Sequence, residues 1–258
     1  MLMKETPYGF MSNKEKYYFE DFTIQAYESL IDIAKRNYSF KSFNDFDLRQ
    51  RDIIWRHDID MSPVMALRLA EIEASKKIKS TYFILLHSDF YNLLDQENYN
   101  IIKKIIALGH EIGLHFDPFF YNINSENELD ERIVFEKEFL EKAFGIKIEV
   151  FSFHNNTPFT LSCEKDEYGG LINTYSKKFK SVPYCSDSNG YWRYRRLKDV
   201  LEKAEDFNLH ILTHEVWWRE EVMSPREKIL RCIEEQGLST YSKYESALDR
   251  LKLINIDW

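Results

Sequence analysis

Between residues 52 and 213, short apolar and β-branched runs alternate with helix-like segments, and this alternation constrains the fold most. Strands separated by helices pair in parallel, with both faces of the sheet covered, so an α/β fold is expected. The strand-like runs are 52–56, 80–86, 111–114, 149–153, a weaker 181–185, and 210–213. A first helix is predicted over 23–36, with Tyr27, Leu30, Ile31 and Ala34 on one face. Ser62 and Pro63 open a second helix as cap and first residue. A third covers 98–108 and stops at Gly109. Ser125 with Glu128 forms a capping box for a long helix ending at Gly145. Further helices are expected over 197–206, from Ser224 to Gly237, and over 243–252. No repeat, low-complexity tract or Pro/Gly/Ser-rich linker divides the chain. Roughly six or seven β/α units suit one irregular barrel over residues 1–258 better than two domains, with a helical extension over about 1–48.

Composition narrows the functional classes. With 44% hydrophobic and 16% aromatic residues, 258 residues can build one large core. The net charge is −8 and no basic block interleaves with aromatics, which argues against nucleic acid and anionic membranes as partners. No run reaches the roughly 18 apolar residues of a spanning helix. The segment from Met1 to Tyr18 carries Lys4, Glu5, Lys14, Glu15 and Lys16 and has no apolar export core. A soluble, cytoplasmic protein is therefore expected. Cys163, Cys185 and Cys232 are odd in number and widely spaced, as reduced thiols are. Oligomeric state is not legible in the chain.

The chemistry-bearing residues fall where strands run out. Asp58 and Asp60 follow the first run, His115 and Asp117 the third, His154 the fourth and His214 the last. Active sites of barrels and open α/β sheets form at that edge. Carboxylates and imidazoles meeting there can hold a divalent metal, so a metal-dependent hydrolase is the leading expectation. In the pair Asp58–Asp60 one carboxylate can bind metal while the other stays free as a base; Ser62 already supplies the helix cap. Asp117 is placed to orient His115, to bind the metal itself, or to face substrate. Asp187, Trp192 and Arg193, in a polar loop, and Trp217 and Trp218, after His214, are candidates for substrate contact. His110 stands at the opposite end of its strand, outside the site, and His87 is structural or substrate-facing.

In this order the motifs resemble those of the polysaccharide deacetylases, the NodB-homology group or family 4 carbohydrate esterases, over roughly residues 50–220. The quoted stretches are His57-Asp58-Ile59-Asp60, Ser80-Thr81-Tyr82-Phe83, Gly109-His110-Glu111-Ile112-Gly113-Leu114-His115 and Leu212-Thr213-His214. Arg56 before the first motif and Trp217-Trp218 after the last are similar to a divergent branch associated with surface polysaccharide biosynthesis. The resemblance implies a distorted (β/α) barrel, usually seven-stranded, and a divalent metal held by one Asp and two His. By position it makes Asp58 the general base, Asp60 and His115 metal ligands and His214 the general acid. Asp/His ligation suits zinc, with cobalt, nickel, manganese or iron compatible. The family's second His, four residues after the first, is Phe119 here, which cannot bind metal. His154 is the expected replacement, with Asp117 as rival. The implied reaction is hydrolysis of an N-acetyl group on a sugar or glycan intermediate. An O-acetyl esterase, another amide hydrolase, or a glycan-binding barrel without catalysis are the alternatives.

Overall fold

The structure, a computed structural model, describes residues 12–256. The first part of the charged N-terminal stretch, expected to lack an export signal, lies outside the described residues. Among the described residues, nine strands form one sheet: β1 (Ser39–Phe40), β2 (Asp52–Ile59), β3 (Thr81–Leu85), β4 (Glu111–Phe116), β5 (Val150–Phe153), β6 (Glu167–Tyr168), β7 (Leu171–Asn173), β8 (Tyr184–Ser186) and β9 (Leu209–His214). The strands β7, β5, β4, β3, β2, β9 and β8 run parallel in that spatial order, curling into a distorted α/β barrel. Three strands, β1, β6 and β7, lie outside the runs expected from the sequence. β1 pairs with the start of β2, and β6 runs antiparallel to β7 through a turn at Gly169 and Gly170, both at positive φ. Among the described residues no ladder joins β7 to β8, so the barrel is open there.

Strand periodicity sorts the side chains. On β2 every residue is buried, the apolar Ile53–Trp55 and Ile59 as well as the polar Asp52, Arg56, His57 and Asp58. Ile53, Trp55 and Ile59 join the clusters under the helices, whereas Ile54 packs inside the barrel. Arg56 and Asp58 share the inward face with Ile54, two residues apart each time. The N-terminal half of the interior is filled by Phe43, Phe46, Ile54, Phe83, Val150, Phe179 and Val182. Burying each aliphatic or aromatic side chain contributes about 1.5–3 kcal/mol, so this plug leaves the strand starts to stability and the strand ends to chemistry.

Helix starts follow their sequence signals. Ser62 accepts from the Met65 N–H with Pro63 at the first position, and Ser125 accepts from the Glu128 N–H ahead of the helix Glu126–Phe144. The helix Ile24–Asn37 begins at its Thr23 cap and packs Tyr27, Leu30, Ile31 and Ala34 against β2, β9 and the helix Leu197–Lys203. The expected stop at Gly237 and the separate last helix are corrected: one helix runs Pro225–Leu251. Gly237 keeps helical backbone, and a glycine inside a helix costs only about 1 kcal/mol. Among the described residues no helix is long and apolar enough to cross a membrane. All three cysteines are unpaired and buried.

Gly113 in β4 marks a tight contact inside the barrel. A Cβ there would lie 2.5 Å from Phe83 Cε1 and 2.6 Å from its Cδ1. Phe83 is fully buried and carries the Arg56 guanidinium over its ring at 5.2 Å. Gly113→Ala is therefore expected to cost about 1–3 kcal/mol by overpacking. Chemical denaturation measures this, and an unchanged midpoint would overturn it.

Candidate active site

Four parallel strands deliver the side chains. β2 ends at Ile59, with Asp58 paired in register with His214 of β9 and with Phe83 of β3. β4 carries His115 beside Leu85 on one side and Ser152 of β5 on the other. His154 follows β5 directly, its backbone N–H donating to Phe116 O at 2.8 Å. These strand ends open into a cleft of ≈ 970 Å³ containing Asp58, Asp60, His115, His154 and His214.

Asp60, His115 and His154 form the tightest group. Asp60 Oδ1 lies 3.2 Å from His115 Nε2 and 3.3 Å from His154 Nδ1, and the two imidazole nitrogens are 3.2 Å apart. Tetrahedral ligands about 2.0–2.1 Å from a zinc ion stand roughly 3.3 Å from one another, so the three atoms fit the ligand face of such an ion. Asp60 Oδ1 is also buried without a hydrogen bond of good geometry. With both imidazoles neutral and their lone pairs turned inward, three acceptors face one another, an arrangement that a cation relieves. Burial works to raise the Asp60 carboxyl, but the contacts of His115 and His154 and the charges of His115 and His214 hold it well below the usual carboxylate range. Burial also opposes a charge on His154, yet the hydrogen bond and charge of Asp60 raise it above its ordinary value. Both directions say that the triangle favours positive charge.

Asp58 lies beside this group, its Oδ2 3.7 Å from His115 Nε2. The same oxygen is 3.4 Å from the Arg56 guanidinium, which crosses the barrel interior to Ser152 Oγ at 2.8 Å and Thr174 Oγ1 at 3.0 Å. Asp58 Oδ1 is buried and has no partner. On the neighbouring strand β9, His214 Nε2 is 3.9 Å from Asp60 Oδ2. Its Nδ1 is 2.7 Å from Asp187 Oδ1, and its backbone N–H donates to both Asp187 oxygens at 3.1 and 3.0 Å. Burial works against a charge on His214, but the charge and hydrogen bond of Asp187 push it up to about 10.

The remaining expected site residues divide by location. Arg193 and Trp217 line the cleft, as does the exposed Phe119. Asp187 does not face substrate: it is fully buried beneath His214 and orients that ring. Trp218 is likewise fully buried, its ring 4.8 Å from Tyr27 and 5.4 Å from Phe22, so it packs the outer core. Trp192 stacks on Phe22 and donates its Nε1 hydrogen to Asp21 at 3.1 Å, away from the cleft lining. Asp117 caps the short helix Pro118–Tyr121, accepting from the Phe119 N–H at 2.9 Å, and stands outside the Asp60–His115–His154 group. His110 lies at the other end of β4, where it accepts from the Ser80 N–H at 3.2 Å and donates to Ala70 O at 3.0 Å. His87 pairs with the buried Glu136 at 3.0 Å.

Two further residues, Arg56 and Glu215, belong to the site. The period of two along β2 puts Arg56 on the face of Asp58. Glu215 left no signal, because its partners are backbone amides.

No protein-family model matches this chain, and no curated protein matches it. Among solved structures it is similar to a family 4 carbohydrate esterase from Bacillus anthracis, at 18% identity over 80% of this chain and 86% of that one, with a TM-score of 0.45. It is similar to the peptidoglycan deacetylase PdaC from Bacillus subtilis, at 16% identity over 80% and 98% of the two chains, with a TM-score of 0.41. The chitin deacetylase from the fungal pathogen Colletotrichum lindemuthianum is 17% identical over 72% and 82%, with a TM-score of 0.42.

Proposed function

We propose that this chain hydrolyses an N-acetyl group on a sugar or glycan intermediate of surface polysaccharide biosynthesis, with a divalent cation held by Asp60, His115 and His154. The observation that carries the reading is the 3.2–3.3 Å triangle of those three ligand atoms at the strand ends, flanked by Asp58 and by the His214–Asp187 pair. One carboxylate and two imidazoles make zinc the first candidate. Bound there, the cation would supply Lewis acidity to the acetyl carbonyl and to the attacking water.

The protein's own groups do the rest. Asp58 accepts the proton of the attacking water through its unpartnered Oδ1. Arg56 holds that carboxylate at the cleft through its contact with Oδ2 at 3.4 Å. His214, protonated and held through Nδ1 by Asp187, delivers a proton from Nε2 to the leaving nitrogen, which must depart as a neutral amine. Trp217 and Phe119 offer apolar faces to a sugar ring, and Arg193 a cationic contact at the same cleft. The Arg-His-Asp-X-Asp spelling and the Trp pair support a biosynthetic intermediate as substrate.

The test is metal content by elemental mass spectrometry on the wild type, His154→Ala and Asp117→Ala, followed by acetate release from N-acetylated sugars. Near one metal per chain is expected in the wild type and in Asp117→Ala, with loss in His154→Ala. Retention in His154→Ala with loss in Asp117→Ala would move the third ligand to Asp117. Acetate appearing without a matching free amine would turn the reading to an O-acetyl ester.

A further inference from the structure

The loop that carries Asp60 is held mostly by side chains. β2 ends at Ile59 and the helix Pro63–Ser75 begins three residues beyond Asp60; the helix satisfies Ser62 O through the Ala66 N–H at 3.1 Å but leaves the other backbone groups of residues 60–62 to side chains. Four side chains hold the loop. Tyr91 Oη donates to Ile59 O at 3.0 Å, and Ser88 Oγ donates to Asp60 O at 2.8 Å. Gln236 Nε2, from the helix Pro225–Leu251, donates to Met61 O at 2.6 Å. The three N–H groups all converge on Glu215: Met61 N–H on Oε1 at 2.7 Å, Ser62 N–H on Oε1 at 2.6 Å and Asp60 N–H on Oε2 at 3.4 Å.

Glu215 is fully buried, and an isolated carboxylate there would be costly to desolvate. Its hydrogen bonds from successive N–H groups and its seat at the N-terminus of the helix Pro63–Ser75 recover part of that cost, while burial and the charge of Asp60 still push the carboxyl up to about 7. It follows His214 in sequence, so one turn of chain beyond β9 sends one side chain toward the cleft and the next behind the Asp60 loop. A neutral side chain with one acceptor could cap the helix. It could not receive all three amides.

We propose that Glu215 is a positioning residue for Asp60, fixing the carboxylate in the ligand triangle through the backbone of residues 60–62. The inference rests on the metal reading above and extends it to a residue that touches neither cation nor substrate. Residues that orient metal ligands typically change affinity by about 10–100-fold when lost.

The experiment compares cobalt(II) and zinc affinity in the wild type, Glu215→Gln and Asp60→Ala by competition with a chromophoric chelator, with the visible spectrum of the cobalt form recorded. Thermal midpoints of the metal-free proteins are measured alongside. Glu215→Gln keeps the shape but turns an amide N–H₂ toward one of the loop N–H groups. It is expected to stay folded at the assay temperature, to bind either metal about 10–100-fold more weakly, and to change the cobalt spectrum. Wild-type affinity and spectrum in Glu215→Gln would overturn the positioning role while leaving the metal site standing. A wild type that binds neither metal would overturn the metal reading, and this inference with it. If Glu215→Gln does not fold, Ser88→Ala and Gln236→Ala loosen the same loop from two other elements. Weaker binding in both supports the role, and affinities within about twofold of wild type in both overturn it.

Discussion

Asp58→Asn should lower turnover by about 10²–10⁴, the usual loss for one acid–base group, while metal content stays near that of the wild type. The residue sits at the end of β2 in register with His214, buried, with Oδ1 free of partners and Oδ2 beside Arg56. Asparagine fills the same volume and can still meet Arg56 through its carbonyl oxygen, but it cannot take a proton from water. The three atoms of the ligand triangle belong to other residues, so the cation should remain. Steady-state kinetics with elemental analysis on the same preparation checks both halves. Turnover near wild type would remove Asp58 as the base, and loss of metal would make it a ligand instead.

Asp187→Asn should have an effect of comparable size by another route. Asp187 accepts from His214 Nδ1 at 2.7 Å and from the same residue's backbone N–H. Its charge and hydrogen bond outweigh burial in raising His214 to about 10. The role assigned to His214 requires the protonated ring, so activity is present below its pKa and falls as pH rises through it. Asparagine removes the charge and can favour the wrong tautomer, a change that costs up to about 10⁴ in other His–Asp pairs. The expected result is a drop in kcat of about 10²–10⁴ and an alkaline limb displaced to lower pH than in the wild type. A pH–rate profile decides it: an unmoved limb would show that Asp187 does not set the proton affinity of His214.

Much of this arrangement could be read from the chain because its signals are local. β2 to β5 and β9 are buried on both faces and so carry short apolar stretches such as Ile53–Trp55, and the helices that follow β2 and β4 begin at Ser62 and Ser125 with their caps in place. His and Asp at the strand ends were legible for the same reason. What escaped depends on partners far away in sequence. Asp187 looked like a loop residue because its partner is 27 positions on. Trp217 and Trp218 are neighbours, yet one lines the cleft and the other is core, a choice made by the 3₁₀ turn Glu215–Trp217. Gly237 suggested a helix end, but its C-terminal meaning requires a left-handed backbone that it does not adopt. Glu215 grips amides, which every residue but proline has, so no residue pattern announces it.

The gap between β7 and β8 gives the cleft a freedom that a closed barrel lacks. Closure ties radius to strand number and stagger, so widening such a barrel means rebuilding its ladder. Here the segment between β7 and β8 spans the opening instead, with Phe179 and Val182 seated inside as wedges. Beside the gap the bore thus depends on side-chain bulk and not on hydrogen-bond register alone. Exchanging those wedges would alter the cleft wall while leaving the strands that carry Asp58, His115 and His214 untouched.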